Sequence, residues 1–232
     1  MCIRDRNNYH KEKREKFLKE GISIYQIFED EWRDKKEIVK SVIRSKLNIY
    51  ENIYYARKLD IKEVSLDEER KFLNENHLQG YVASTICLGL YNGEELISLM
   101  SFGRSRFNKI YKWELLRFVN KIGCRVVAGA SRLFKNFIKE NNPESIISYC
   151  DLRVFDGELY KNLGFNFLHN SAPNYYYIVD GNRHSRMKYQ KHKLKDKFPS
   201  IFSEEKTEKI IMEEAGYYPI YDCGMGAWKI VF

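Results

Sequence analysis

The sequence lacks any CxxC pair. Its five cysteines (Cys2, Cys87, Cys124, Cys150 and Cys223) are scattered and odd in number. That spacing excludes a zinc ribbon and gives no disulfide framework. Three of the five lie in apolar runs and read as small core residues, in keeping with a reducing compartment. No apolar run is long enough to span a bilayer, and no signal-peptide pattern is seen. The expectation is a cytoplasmic protein with no membrane partner. Repeats and low-complexity tracts are also missing, which excludes a solenoid or a fibrous array.

What is present is a globular composition. The 232 residues are 44% hydrophobic and 15% aromatic, with 17 Tyr and 14 Phe. That is enough for one sizeable core or two small domains. The formal net charge of +8 favours an anionic partner, and nucleic acid is the commonest one. A Lys-rich solvated surface would give the same number. Two features speak for nucleic acid, here double-stranded DNA. One is the basic loop Gly103–Lys109, where Arg104 and Arg106 precede one aromatic, Phe107. The other is the stretch 182–197, NRHSRMKYQKHKLKDK, where Arg183, Arg186, Lys188, Lys191 and Lys193 interleave with His184, Tyr189 and His192. Positive charge among aromatics suits phosphate neutralisation and stacking.

The chain centres on the stretch 114–167. An apolar run, Glu114 to Val119, predicts a buried strand. Val126 and Val127 follow, then a small-residue turn, Ala128-Gly129-Ala130-Ser131, opening into a helical pattern with Leu133, Phe134, Phe137 and Ile138 on one face. Asn141-Asn142-Pro143 stops that helix. Ile146, Ile147, Tyr149 and Cys150 predict the next strand, and a short helix ends at Leu163-Gly164-Phe165. A helix start carries unbonded N–H groups and partial positive charge. Gly129, Ala130, Ser131 and Arg132 are therefore a candidate phosphate or cofactor seat. A tight strand-to-helix connection would use the same residues.

Around this centre, YHKEKREKFL (Tyr9 to Leu18) predicts a basic helix. ISIYQIF predicts a strand running into Glu29-Asp30-Glu31-Trp32, and a second helix has Ile38, Val39, Val42, Ile43 and Leu47 on one face. Residues 49–60 read as a polar, Tyr-rich linker. A strand at Ile61–Val64 precedes a capping box, Ser65-Leu66-Asp67-Glu68. His77 and Gln79 stand in a turn. Asn92-Gly93 joins two strands in a hairpin. PNYYYIV is an aromatic strand, Ser203–Glu214 a helix, and the last residues predict a hairpin around Gly224-Met225-Gly226. The opening MCIRDR resembles translated sequencing-adaptor sequence, which implies that natural sequence begins further upstream.

Two resemblances follow from these residues. Strand, Gly-containing turn, helix, strand and then LYKNLGF (Leu159 to Phe165) resemble the Gcn5-related N-acetyltransferase (GNAT) fold over about Ile61 to Val179. The resemblance implies a turn that cradles the pyrophosphate of acetyl-coenzyme A. It also implies Tyr160 as general acid and a base near Glu114. In that family the turn reads Arg or Gln, two residues, Gly, one residue, Gly or Ala. Aligned on Gly129, Val126 and Ser131 depart from the pattern. KREKFLKEGISIYQIFEDEW also resembles the end of the nuclease core in Vsr-like homing endonucleases of bacteriophages. The QGY, ELLRF, GAS, LGF and PNYYY landmarks extend that likeness over nearly the whole chain. It implies a DNA-binding accessory region in a phage-infected bacterial cell. Glu29 and Glu31 would be a nuclease remnant. The principal catalytic Asp and Glu would lie upstream, and Mg2+ would belong to the complete nuclease. Glu29, Asp30 and Glu31 could themselves take a divalent cation, but alternate residues of a strand face opposite ways. The organisation expected is therefore α/β (α+β). Residues 1–48 would be the end of a restriction-endonuclease-like domain and 49–60 a linker. A GNAT-like mixed sheet flanked by helices would occupy 61–180, with basic segment, helix and hairpin over 181–232. An acyltransferase using acetyl-coenzyme A is the alternative function, and a structural domain without ligand is a second one.

Overall fold

The structure, a computed structural model, describes residues 8–232. The MCIRDR opening lies outside the described residues. The basic helix is α1 (Tyr9–Lys19), and Gly21 follows it with φ +72°. The stretch 22–28, expected as a strand, belongs to no sheet. Its apolar spacing suits a strand, but its backbone goes elsewhere: Ile22 N–H donates to Phe17 O and Gln26 N–H to Arg153 O. Glu29, Asp30, Glu31 and Trp32 then sit on a short helix, α2 (Glu29–Asp34), and not on a strand end. The amphipathic helix α3 (Lys36–Lys46) buries Ile38 and Val39.

Residues 49–60, expected as a linker, are structured. They hold β1 (Asn52–Tyr55) and a 3-10 turn, and Ala56 and Leu59 are core residues. The strand β2 (Asp60–Glu63) leads to α4 (Leu66–Asn76). Its cap is the expected one, with the Ser65 hydroxyl accepting from Glu68 N–H at 3.4 Å. The strands β3 (Ile86–Asn92) and β4 (Glu95–Arg104) form the hairpin at Asn92-Gly93. Gly93, at φ +62°, supplies the positive dihedral that turn demands. Next come β5 (Trp113–Asn120), β6 (Cys124–Val127), α5 (Gly129–Asn141), β7 (Ser145–Asp151), α6 (Glu158–Asn162) and β8 (Asn166–Asn170). The chain closes with β9 (Tyr175–Val179), β10 (Asn182–Ser185), α7 (Lys191–Lys197), α8 (Glu208–Glu214), β11 (Pro219–Tyr221) and β12 (Met225–Val231). The expected terminal hairpin does not form. β11 joins a three-stranded sheet in the order β10-β9-β11, while β12 joins the seven-stranded one.

Two compact units result, and they do not follow chain order. One comprises the chain up to Asp30, Asp151–Phe155 and Asn170–Met225. It holds the three-stranded sheet and a core of Tyr177, Tyr189, Leu194, Ile211 and Met212. The other comprises Glu31–Cys150, Asp156–His169 and Gly226–Phe232. It is built on the mixed, mostly antiparallel sheet β2-β3-β4-β5-β7-β12-β8 flanked by helices. A two-stranded parallel pair, β1-β6, lies apart from that sheet. One face of the large sheet packs Leu90, Met100, Phe102, Leu115 and Ile146 against Leu133, Phe134 and Phe137 of α5. The other packs Cys87, Leu96 and Leu99 against Phe72 and Leu73 of α4. Alternation along the strands produces the two faces, because successive side chains point to opposite sides.

Candidate active site

The site begins with an irregularity in β5. Opposite β4, Ser101 pairs with Arg117 and Phe102 with Leu115, so Leu116 is an extra residue in the ladder. Such a bulge bends its strand and re-aims the side chains beside it. On its other edge β5 runs parallel to β7, but only Trp113, Glu114 and Leu115 pair, with Ile146, Ile147 and Ser148. Both strands continue beyond that point, to Asn120 and Asp151. They part where the bulge sits. The Ser148 hydroxyl donates to Leu115 O at 2.7 Å and marks the fork.

The N-terminus of α5 follows β6. Its cap residue, Ala128, is left-handed (φ 62°, ψ 17°) without being glycine. An L-residue held there is strained, and such strain concentrates at ligand sites and turns. At the start of the helix, Arg132 N–H donates to Ala128 O at 3.1 Å. The N–H groups of Gly129, Ala130 and Ser131 come before it, and helix geometry gives them no intrahelical acceptor. Of the four residues expected to seat a phosphate, these three offer backbone donors. Arg132 is turned away, its Nη1 donating to Leu59 O at 2.6 Å. Gly129 is required by packing, since a Cβ there would come within 2.9 Å of Val126 Cγ1.

Tyr160 stands on α6. Its hydroxyl donates to Tyr149 O at 3.3 Å, on the diverging part of β7. Its ring stacks on Trp228 with centroids 6.0 Å apart and meets Phe165 edge-on at 5.7 Å. Gly157, just before α6, has φ +81°, and a Cβ there would strike the Trp228 ring. Glycine at that position is what lets Trp228 lie against Tyr160. Burial first, and then the Cys150 thiol, pushes the phenol above its ordinary range. Tyr160 therefore holds its proton at neutral pH.

Glu114 is 1% exposed, and Arg106 takes up both its oxygens. Arg106 N–H donates to Oε2 at 2.8 Å, while Nε and Nη2 donate to Oε1 at 3.1 and 2.6 Å. A carboxylate with three charge-assisted or backbone donors holds the 105–112 loop in place. It is not a free base. Arg106, expected to meet a phosphate backbone, is occupied by that pair. Arg104 ends β4 and is exposed.

Sequence reasoning missed Arg117 and Glu69. Arg117 stands at the bulge, on the sheet face that α4 covers. Glu69, on α4, is 2% exposed. Its Oε2 accepts from the Ser84 hydroxyl at 2.9 Å, and burial raises its pKa. Its Oε1 and the Ser101 hydroxyl are buried polar atoms with no partner in hydrogen-bond geometry, although the two side chains lie close enough to influence each other. No sequence signal marks either residue, because both acquire their settings through register across strands.

No family model matches the chain, and no curated protein matches it. Solved structures do. An acetyltransferase of Bacillus subtilis in complex with CoA is 14% identical, with 75% of this chain and 99% of that one covered and a TM-score of 0.41. A GNAT family acetyltransferase from Elizabethkingia anophelis with acetyl-CoA bound is 11% identical, with 75% and 99% covered and a TM-score of 0.42. An N-acetyltransferase from Staphylococcus aureus is 10% identical, with 75% and 98% covered and a TM-score of 0.42. At these scores the likeness is one of outline, and chemistry has to come from the chain's own residues.

The expected DNA-binding accessory region of a homing endonuclease is corrected at this point. The three solved structures named above are acetyltransferases, two of them with coenzyme bound. The nominated basic groups are also engaged within the fold. Arg183 Nε donates to Asp30 Oδ2 at 3.1 Å, and its guanidinium lies 3.9 Å from the centre of the Phe28 ring. Arg186 lies over Tyr175, Lys188 meets His184, Lys191 donates to Glu204 O, and Lys193 donates to Met187 O. Of the supposed nuclease remnant, Glu29 is exposed and Glu31 buried on the same short helix. Among the described residues no group of three or more His, Cys, Asp or Glu is placed to hold a metal. Among them, too, no helix is long and apolar enough to cross a membrane.

Proposed function

We propose that the chain is an N-acyltransferase that takes its acyl group from acetyl-coenzyme A. The observation that carries this is the fork between β5 and β7, opened at the Leu116 bulge, with the Tyr160 hydroxyl on its β7 side. A parted parallel pair leaves strand edge whose backbone groups need partners, and amide groups of a coenzyme arm are of the right kind. The N–H groups of Gly129, Ala130 and Ser131 are donors for the pyrophosphate, reinforced by the α5 dipole. The residues present therefore fit the coenzyme, with the seat made of backbone and not of Arg132.

The coenzyme, when bound, supplies an activated thioester carbonyl. The chain supplies position and a proton. Tyr160 keeps its proton at Oη because burial disfavours the phenolate, so it can protonate the sulfur as the carbon–sulfur bond gives way to the carbon–nitrogen bond, and the proton lost by the amine nitrogen restores the phenol. Glu114 holds Arg106 and the loop before β5, and has no role as base.

Incubation of the purified chain with acetyl-CoA and a panel of primary amines, read by mass spectrometry, tests this reading. The expected product is one or more amines heavier by one acetyl group, in excess of a boiled control. Equal acetylation with and without the protein, across the panel, would remove the reading.

A further inference from the structure

We infer that Arg117 is the anchor for an anionic group on the acceptor, so that the amine acylated also carries a carboxylate, as a free amino acid does. This rests on the acyltransferase reading and names its substrate class. The observation behind it is a shielded positive charge whose hydrogen bonds go to carbonyls and to no acid. Arg117 Nε donates to Gly80 O at 3.1 Å and Nη1 to Leu116 O at 2.8 Å. Both acceptors are neutral carbonyls, and Glu114, the acid that acts on Arg117 through space, is bonded to Arg106 instead. A guanidinium has five N–H donors, so two carbonyls leave most of the fork unused.

The surroundings sharpen the point. The acid nearest in sequence, Glu114, is saturated by Arg106. Arg106, Glu114 and Arg117 together therefore carry one net positive charge. Burial, then repulsion from Arg106, pushes the Arg117 guanidinium down to about 10, so it remains charged at pH 7. His77 adds no counter-charge. Burial first, and then Arg117 and Lys35, hold it down to about 3, so it is neutral. A half-buried charge without a counter-ion is costly to maintain, and a ligand carboxylate is the group that would offset the cost.

Placement agrees. Arg117 pairs with Ser101 in register, one residue past the bulge. It points to the α4 side of the sheet, where Gly80 lies, whereas α5 and its N-terminal donors lie on the other face. The two anionic functions, coenzyme pyrophosphate and acceptor carboxylate, thus have separate seats on opposite faces of one fork. A guanidinium takes a carboxylate by two parallel bonds, which is why arginine and not lysine suits the position.

The test uses the full chain and its R117Q and R117K variants. Binding of each of the twenty amino acids is measured by calorimetry, with isoamylamine, cadaverine and phenethylamine as carboxylate-free counterparts of leucine, lysine and phenylalanine. Coenzyme affinity is measured in parallel. The expected result is that at least one amino acid binds and its bare amine does not. R117Q should weaken that binding about 10-fold or more, with R117K intermediate and acetyl-CoA affinity unchanged. Circular dichroism and melting of each variant separate lost binding from lost fold, and R117K keeps the charge if R117Q does not fold. Amines binding as well as amino acids, no amino acid binding, or R117Q leaving binding intact would each overturn the inference. If R117Q weakened coenzyme instead, Arg117 would belong to the donor, and the inference again falls. Should amino acids bind through Arg117 while acetyl-CoA does not bind at all, the inference stands and the acyltransferase reading fails.

Discussion

Tyr160→Phe is expected to lower the turnover number for acetyl transfer by about 10²–10³-fold while leaving the KM for acetyl-CoA within a factor of about three. The substitution removes one oxygen. It keeps the ring against Trp228 and Phe165, so the packing of α6 is preserved. The lost group is a hydroxyl that keeps its proton through burial and sits at the fork of β5 and β7. If that proton goes to the leaving sulfur, its removal affects the transition state and not ground-state binding. Release of free thiol from acetyl-CoA, in the presence of an accepted amine, measures the effect. A variant with unchanged turnover would show that Tyr160 only packs. Equal losses in affinity and turnover would show that it holds coenzyme.

Arg153→Met is expected to destabilise the chain by about 3–5 kcal/mol, measured by urea unfolding. Arg153 and Asp151 are 5% and 10% exposed, with Nη2 and Oδ2 2.7 Å apart. Arg153 N–H also donates to Asp151 Oδ1 at 3.0 Å, and the guanidinium lies 4.3 Å from the centre of the Phe28 ring. Removing the arginine leaves a buried carboxylate near the raised carboxyl of Asp222, which already feels Asp151 as a like charge after burial itself. Removing both charges, in Asp151→Asn with Arg153→Met, should recover part of the loss, because the buried carboxylate that Arg153 paired is then neutral as well. A single-variant loss under about 1 kcal/mol would mean that water or another group already compensates Asp151.

Local chemistry made much of the fold legible. The Ser65–Glu68 box, the Asn92-Gly93 turn and the apolar face of Leu133, Phe134 and Phe137 each lie within a few residues of the structure they specify. What escaped depends on partners distant in the chain. ISIYQIF has strand spacing, yet its Gln26 N–H goes to Arg153 O, 127 positions away. Residues 49–60 look like a polar linker because β1 pairs with a strand distant in the chain, β6. The apparent terminal hairpin fails because Tyr221 and the neighbouring Pro219 and Ile220 pair with β9.

The site divided in the same way. The turn into α5 and the short helix carrying Tyr160 were readable as elements, since each is a short motif. The Leu116 bulge was not, because it exists only as a mismatch between the β4 and β5 registers. Arg117 was invisible for the same reason. The basic stretch 182–197 misled because density of charge does not show where each group goes. Arg183 is folded against Phe28 and Asp30, and several of the other groups meet nearby carbonyls and rings.

The most direct measurement is calorimetric titration of acetyl-CoA into the wild-type chain and into Ser131→Glu. The carboxylate at the start of α5 favours the helix but opposes a bound pyrophosphate. The expected result is saturable wild-type binding with a Kd on the order of 10 µM, weakened about 10-fold or more in the variant while its melting temperature holds or rises. No wild-type binding at millimolar coenzyme, or equal binding by both proteins, would contradict the account.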